Sequence, residues 1–357
     1  MKTYTKFLIE IFFISFLKVF LIFFGIILII NILDQIDFFS KKDVYFFYPV
    51  FLSFLNTPSI IFEIFPFIFL ITTQVFFIKL IDSHELQIFK YSGLNNFTIV
   101  KIVGLFSFIF GLFLILFFYS ASAVLQNNYL EIKNEYSNDN KYLAVITENG
   151  LWMKDIMDTK INIINANKVD NEFLIEVLIV QFNKNYELIR TIESNKVDIS
   201  NYNWKIKDPK ISENNKTIKL EEINIKSNFD LKKINSLFSN LSSLTIYDLF
   251  KLRQSYKSLN YSLIEIDSHL YKISSYPFYL ALITVLTAII MFNIGYQKNS
   301  LFRIILGIFL SVVIYYINYF FNVLGTSEKI PLLISIWFPL IILSIINVTF
   351  IMRINEK

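Results

Sequence analysis

Residues 127–155 read NNYLEIKNEYSNDNKYLAVITENGLWMKD and open the one long polar run of the chain, Asn127 to Ser243. Short apolar or alternating bursts recur through it, bounded by Asn, Asp or Gly: Tyr142–Thr147, Leu151–Lys154, Lys160–Ala166, Glu172–Phe182, Tyr186–Ile192, Lys196–Ile199, Trp204–Lys207 and Thr217–Ile225. Strand-length runs separated by turn signals, without a helical period, predict an antiparallel sandwich or jelly roll. The regular interspersion of Ile, Leu and Val argues for a folded domain over a disordered Asn/Lys-rich segment. Phe173–Phe182 is apolar enough either to fill a sheet core or to line an apolar trough, and both readings stand.

On each side of this run lie three strongly hydrophobic segments. The chain has 357 residues, 55% of them hydrophobic, and a mean hydropathy of +0.53, which exceeds what a soluble domain carries. The expected membrane helices are Phe7–Leu33, Ser59–Ile81, Ile99–Leu125, Ile273–Gln297, Leu301–Leu324 and Pro331–Met352. The first is too long for a signal-peptide core and lacks a small-residue cleavage site, so it stays as a helix. The architecture is therefore an α-helical membrane protein with six transmembrane helices, 3 + 3, and an inserted all-β domain. Its expected divisions are 1–126, with a polar connector at about 83–94, then the domain at 127–243, a helical connector at 244–272 and the last three helices at 273–357.

Charge placement sets an expected orientation. With the N-terminus inside, that side holds Lys2, Lys6, Lys79, Lys90, Lys101, Lys298, Arg303, Arg353 and Lys357, against Lys41, Lys42 and Lys329 in the opposite short loops. This bias places both termini in the cytoplasm and the β domain outside. The chain has no cysteine, so disulfides and thiolate metal sites are excluded; its two histidines, His84 and His269, are far apart in sequence. The expected helices offer no His or Cys for intramembrane catalysis, and no Gly-x-x-x-x-Gly-Lys phosphate loop is present.

Three motifs sit at fixed places in this layout. Asp34-Gln35 closes helix 1, Glu85-Leu86 followed by Ser92-Gly93 lies on the connector, and Asn149-Gly150-Leu151-Trp152-Met153-Lys154-Asp155 opens the inserted domain. In that order they resemble the LptF/LptG permeases of the lipopolysaccharide export ABC transporter, and the first and last look more like LptG. The resemblance implies an inner-membrane, non-catalytic subunit with a periplasmic β-jelly-roll domain. It implies an LptF-like second permease, an LptB-like ATPase dimer that holds the ATP and Mg, and an LptC-like bridge protein. No cofactor is expected on this chain. The task implied is extraction of lipopolysaccharide from the inner membrane and delivery to a periplasmic bridge for the outer membrane.

Candidate residues follow. On the connector, Leu86, Phe89 and Lys90 fall at i, i+3, i+4 and share one helical face. Glu85 offers a carboxylate to basic partners, Leu86 and Phe89 offer apolar anchors for an ATPase groove, and Gly93 would end the helix with φ > 0. The plain reading of this stretch is a solvated loop. For an amphiphile with phosphorylated sugars, the candidates are Asp34, Lys41 and Lys42 beyond helix 1, and the aromatics Phe20, Phe24, Tyr315 and Tyr319 for acyl chains. Solvated lysines and ordinary helix packing are the plain readings here. Relatives often carry a basic residue where this chain has Asn31. Glu10, Lys18 and Glu63 are costly inside a span unless paired, and Lys18 with Glu63 is the more suggestive pair, although their expected depths differ. The rival function is a membrane-anchored envelope sensor or binding protein whose external domain takes a ligand. A lipoprotein-releasing permease fits less well, because six helices in a 3 + 3 arrangement exceed its usual four.

Overall fold

The computed structural model describes residues 3–355 except 41, 43, 46, 137–150, 158–159, 171, 214–215, 232–233, 235–239, 259–261 and 294–299. The expected strand Tyr142–Thr147, the Asn149-Gly150 start of the third motif and Lys41 lie outside the described residues. Two compact units result: residues 1–126 with 264–357, and residues 127–263.

Among the described residues, six helices are long and apolar enough to cross a membrane: Thr3–Phe39, Tyr48–Asp82, Asn96–Lys133, Ile264–Phe292, Ile304–Thr326 and Leu332–Met352, here spans 1 to 6. Several run past their hydrophobic cores. Span 2 starts at Tyr48, eleven residues before the expected Ser59, and Pro49 suits its first helical turn. Ser53 and Thr57 donate their hydroxyls to the carbonyls four residues back, so these polar side chains are satisfied inside the helix. Span 4 starts at Ile264, so the second half of the expected helical connector is the opening of the span itself. The first half is a separate helix, Ile246–Ser258. Span 3 changes from α to π geometry over Leu114–Tyr119.

The core of the membrane unit is built from phenylalanine. Phe12, Phe65, Phe69, Phe76 and Phe77 are almost fully buried. Phe12 meets Phe76 edge-on with centroids 5.5 Å apart, and Phe16 meets Phe110 at 4.9 Å. Where spans 3 and 4 cross, a Cβ on Gly111 would stand 2.8 Å from the Pro277 Cα. Small residues permit this backbone approach between helices that lipid gives no hydrophobic reason to associate.

Among the described residues, the second unit carries eight antiparallel strands: β1 Leu151–Met157, β2 Lys160–Asp170, β3 Phe173–Phe182, β4 Leu188–Asp198, β5 Asn203–Lys207, β6 Lys210–Glu213, β7 Lys216–Lys219 and β8 Glu222–Lys226. Their order is β1-β2-β3-β4-β5-β8, and β6 joins β4 to β7. The sheet forks at β4: Lys196–Asp198 pair with β5, while Thr191–Glu193 pair with β6. Two expected strands, Tyr186–Ile192 and Lys196–Ile199, are thus one. The expected Thr217–Ile225 is two, since β7 turns back on β6 and β8 runs beside β5. One face of β3 (Leu174, Val177, Ile179) is buried and the opposite residues Ile175, Leu178, Val180 and Phe182 are half-buried. Trp204 is fully buried and donates its indole N–H to the Phe229 carbonyl at 2.7 Å, fastening the segment after β8 onto the core.

Candidate functional site

The connector is a folded device of its own. Span 2 ends at Asp82, and the chain turns sharply at His84, whose backbone is left-handed at φ 58°. The His84 carbonyl accepts from the Gln87 and Ile88 N–H groups and so opens the helix Glu85–Tyr91. At the far end Gly93, φ 80°, donates to the Lys90 carbonyl, and Leu94 donates to the Phe89 carbonyl, each at 3.0 Å. That hydrogen-bond pair is a Schellman closure, and it requires the conformation glycine adopts without strain.

The helix's apolar spacing is used differently from the expectation. Leu86 is 2% exposed and belongs to the core of the membrane unit. Phe89 packs on the same core, with its ring centroid 6.0 Å from that of Phe7 on span 1. These two residues therefore anchor the connector to its own chain and are not free for a partner's groove. The outward apolar residues are Ile88, 59% exposed, and Tyr91, 89% exposed, with Lys90 and Gln87 beside them. Spacing grouped Leu86, Phe89 and Lys90 on one face; the packing turns Leu86 and Phe89 inward and leaves Lys90 outside. Glu85 is half-buried, and its Oε2 is enclosed without a hydrogen-bond partner among the described residues.

The substrate candidates are not gathered into one place. Asp34 is exposed; Lys42 is half-buried with its ammonium 3.8 Å from the Phe38 ring centroid. Phe20 and Phe24 are half-buried in aromatic packing, Phe20 against Phe65 at 6.0 Å and Phe24 against Phe54 at 6.3 Å. Tyr315 and Tyr319, by contrast, stand open on span 5. Span 1 packs chiefly on spans 2 and 3, and span 5 on spans 2, 4 and 6, so the two aromatic sets belong to separate edges of the unit. Asn31 turns inward: it donates to Thr57 at 3.1 Å and accepts from Asn56 at 3.0 Å, clamping spans 1 and 2.

Lys18 is exposed on span 1 and does not meet Glu63. The charge that acts on Glu63 is Lys272 of span 4. Around them, the Phe62 ring lies 4.6 Å from that of Tyr276 and 5.1 Å from that of Tyr119, and the Tyr276 hydroxyl donates to the Phe62 carbonyl. Tyr119, the last residue of the π segment, hydrogen-bonds His269 Nε2 at 2.9 Å. Ser268 Oγ donates to Asn322 Oδ1 at 3.0 Å. His269 and Lys272 were missed because span 4 was expected to start at Ile273, so the expectation of spans without histidine is corrected. A helix-compatible run from Ile264 with Ser268, His269 and Lys272 was the available signal.

In the β unit, a polar row crosses four strands on the buried face, since register aligns Asp155, Asn162, Gln181 and Arg190. Gln181 donates to Asn162 at 2.8 Å, and Arg190 Nε donates to Gln181 Oε1. Asp155, 0% exposed, accepts from the Asn228 side chain at 2.8 Å and from its backbone N–H. Such a row fixes register, because a slip of one residue would carry one strand's polar side chain to the opposite face and leave its buried partner unpaired.

The sequence model of the family described as "Lipopolysaccharide export system permease LptF/LptG" matches residues 6–353. No curated protein matches the chain. The family match runs from span 1 to the end of span 6 and takes in the connector and the strand-rich insertion, so the chain belongs to the LptF/LptG family of lipopolysaccharide export permeases.

Proposed function

We propose that this multi-pass inner-membrane permease is the LptG-like half of a two-permease transporter. It works beside an LptF-like chain, is driven from the cytoplasm by an LptB-like ATPase dimer, and meets an LptC-like bridge protein through a periplasmic β domain. The LptG-like reading is supported by Asp34-Gln35 and by the Leu151-Trp152-Met153-Lys154-Asp155 strand. In this reading the chain performs no catalysis and binds no cofactor; ATP and Mg belong to the ATPase. Lipopolysaccharide leaves the outer leaflet of the inner membrane between the permeases and passes over the β domains towards the outer membrane. The exposed faces of spans 1 and 5 suit a seam with the second permease.

One observation carries the coupling role: the connector is clamped to its own bundle through Leu86 and Phe89, yet turns Ile88 and Tyr91 outward beside the half-buried Glu85, whose enclosed Oε2 has no hydrogen-bond partner among the described residues. A buried acceptor left unmade costs about 1–3 kcal/mol, and a basic group from a docking ATPase would remove that cost. A rigidly clamped helix transmits force; a loose loop does not. The test is purification with a tagged chain, in which an ATPase and a second six-span protein should be recovered together. Ile88→Asp or Tyr91→Asp should lose the ATPase while retaining the second permease. Recovery as a stable homomer, or retention of the ATPase by both variants, would overturn the assignment.

A further inference from the structure

We infer that Lys272 is a docking point for a phosphate of the transported glycolipid and that Glu63 is its resident counter-charge, limiting how long the phosphate stays. This rests on the permease reading and adds a site to it.

Depth is the first argument. Glu63 lies 19 residues before Asp82, where span 2 ends, which at ~1.5 Å per residue is roughly 28 Å and close to the ~30 Å hydrocarbon thickness. The Phe62–Tyr276 contact sets the same level on span 4, and Lys272 stands one turn beyond it. Both charges therefore fall at the outer boundary, on the side where spans 3 and 4 give way to the strand-rich insertion. Phosphates of an outer-leaflet glycolipid occupy that level.

Geometry is the second argument. The Phe62–Tyr276 stack and hydrogen bond bring span 2 against span 4, with Glu63 adjacent in sequence to Phe62 and Lys272 one turn before Tyr276. Each side chain is open on one side and shielded by its neighbours on the other, and each lies within electrostatic reach of its counterpart. Among the described residues, however, neither side chain makes a hydrogen bond or ion pair. A charged residue on the outside of a span is costly against acyl chains and marks a face turned to water or polar ligand. The Lys272 ammonium brings three donors, matched by phosphate oxygens. Glu63 repels the same phosphate, which keeps binding weak enough for onward movement.

The experiment is equilibrium binding to the purified full complex in nanodiscs. The probes are diphosphorylated lipid A, the same lipid with its phosphates removed, and phosphatidylglycerol. Lys272→Gln should weaken binding of the phosphorylated lipid about tenfold and leave the dephosphorylated lipid unchanged, as loss of a charge-assisted hydrogen bond implies. Lys272→Arg should retain binding, and Glu63→Gln should tighten it severalfold while slowing release into the export pathway. The inference is overturned if Lys272→Gln affects both forms of lipid A equally, or if Glu63→Gln weakens binding as Lys272→Gln does, the signature of a purely structural pair. It is also overturned if phosphatidylglycerol competes as well as lipid A, which would assign the site to bulk phospholipid. A wild-type complex that binds neither form of lipid A would overturn the permease reading as well.

Discussion

Spans 2 and 5 have the same mean hydropathy, 2.1, yet 61% of the apolar window of span 2 is buried against 6% of that of span 5. Hydropathy reports whether a helix can cross a membrane, and these two are equals in that respect. What separates them is which neighbours each side chain meets. Span 2 runs through the middle of the unit and turns Thr72, Thr73 and Gln74 inward with its phenylalanines. Span 5 stands at an edge and leaves Phe309, Tyr315, Tyr316, Tyr319 and Phe320 more than half exposed. A central helix is shaped by packing; an edge helix is available for a partner or a substrate.

The sharpest way to break the contrast is truncation on the two helices. Phe76→Ala on span 2 should lower stability by about 3–5 kcal/mol, because a fully buried ring leaves a cavity. Phe309→Ala on span 5 should change it by about 0.5 kcal/mol or less, as for an exposed side chain. Unfolding of the purified chain in detergent measures both, and equal losses would refute the edge assignment of span 5. Tyr319→Ala should likewise leave stability nearly unchanged while reducing recovery of the second permease, if the edge is a seam.

The same contrast exists in the β unit between two aspartates. Asp155→Ala should cost about 1–3 kcal/mol, since it strands the Asn228 donors in a buried setting. Loss of β-sheet signal on heating is the readout.

Asp198 gives the smallest effect. Hydrogen bonds from the Ser200 N–H and hydroxyl hold its carboxyl below the usual range, with Lys205 and Lys207 helping, and it is only half-buried. A depressed carboxylate contributes stability that is present above its unfolded pKa and is lost as pH falls through the lower folded value. Asp198→Asn should therefore flatten only slightly the fall in stability below about pH 4. A large change would mean that Asp198 is shielded in the way Asp155 is.

The membrane class, the 3 + 3 division and the antiparallel insertion were legible in the sequence, because each rests on local pattern. Runs of apolar residues must be helical in lipid, where every backbone group needs an internal partner. Gly93 was legible for a similar reason, since a left-handed helix end favours glycine. Boundaries were less so: Tyr48 and Ile264 begin their spans early because polar residues there bond within the helix or across to a neighbouring span, which hydropathy does not register. Leu86 and Phe89 were found as a face but not as an inward face. Lys18 stood out as the more suggestive partner for Glu63, and Lys272 fell outside the expected span 4, because the sequence shows only that charges exist near or within spans.

By itself, then, the chain's order of apolar, polar and turn residues determined six helices long and apolar enough to cross a membrane among the described residues, and where a sheet is inserted. Only the tertiary structure decided that span 5 lies at an edge, that Asn31 points into the bundle, and that Glu63 comes within electrostatic reach of Lys272, more than two hundred residues away. Periodicity is a property of neighbours along the chain; burial and charge pairing depend on which distant segments the packing brings alongside.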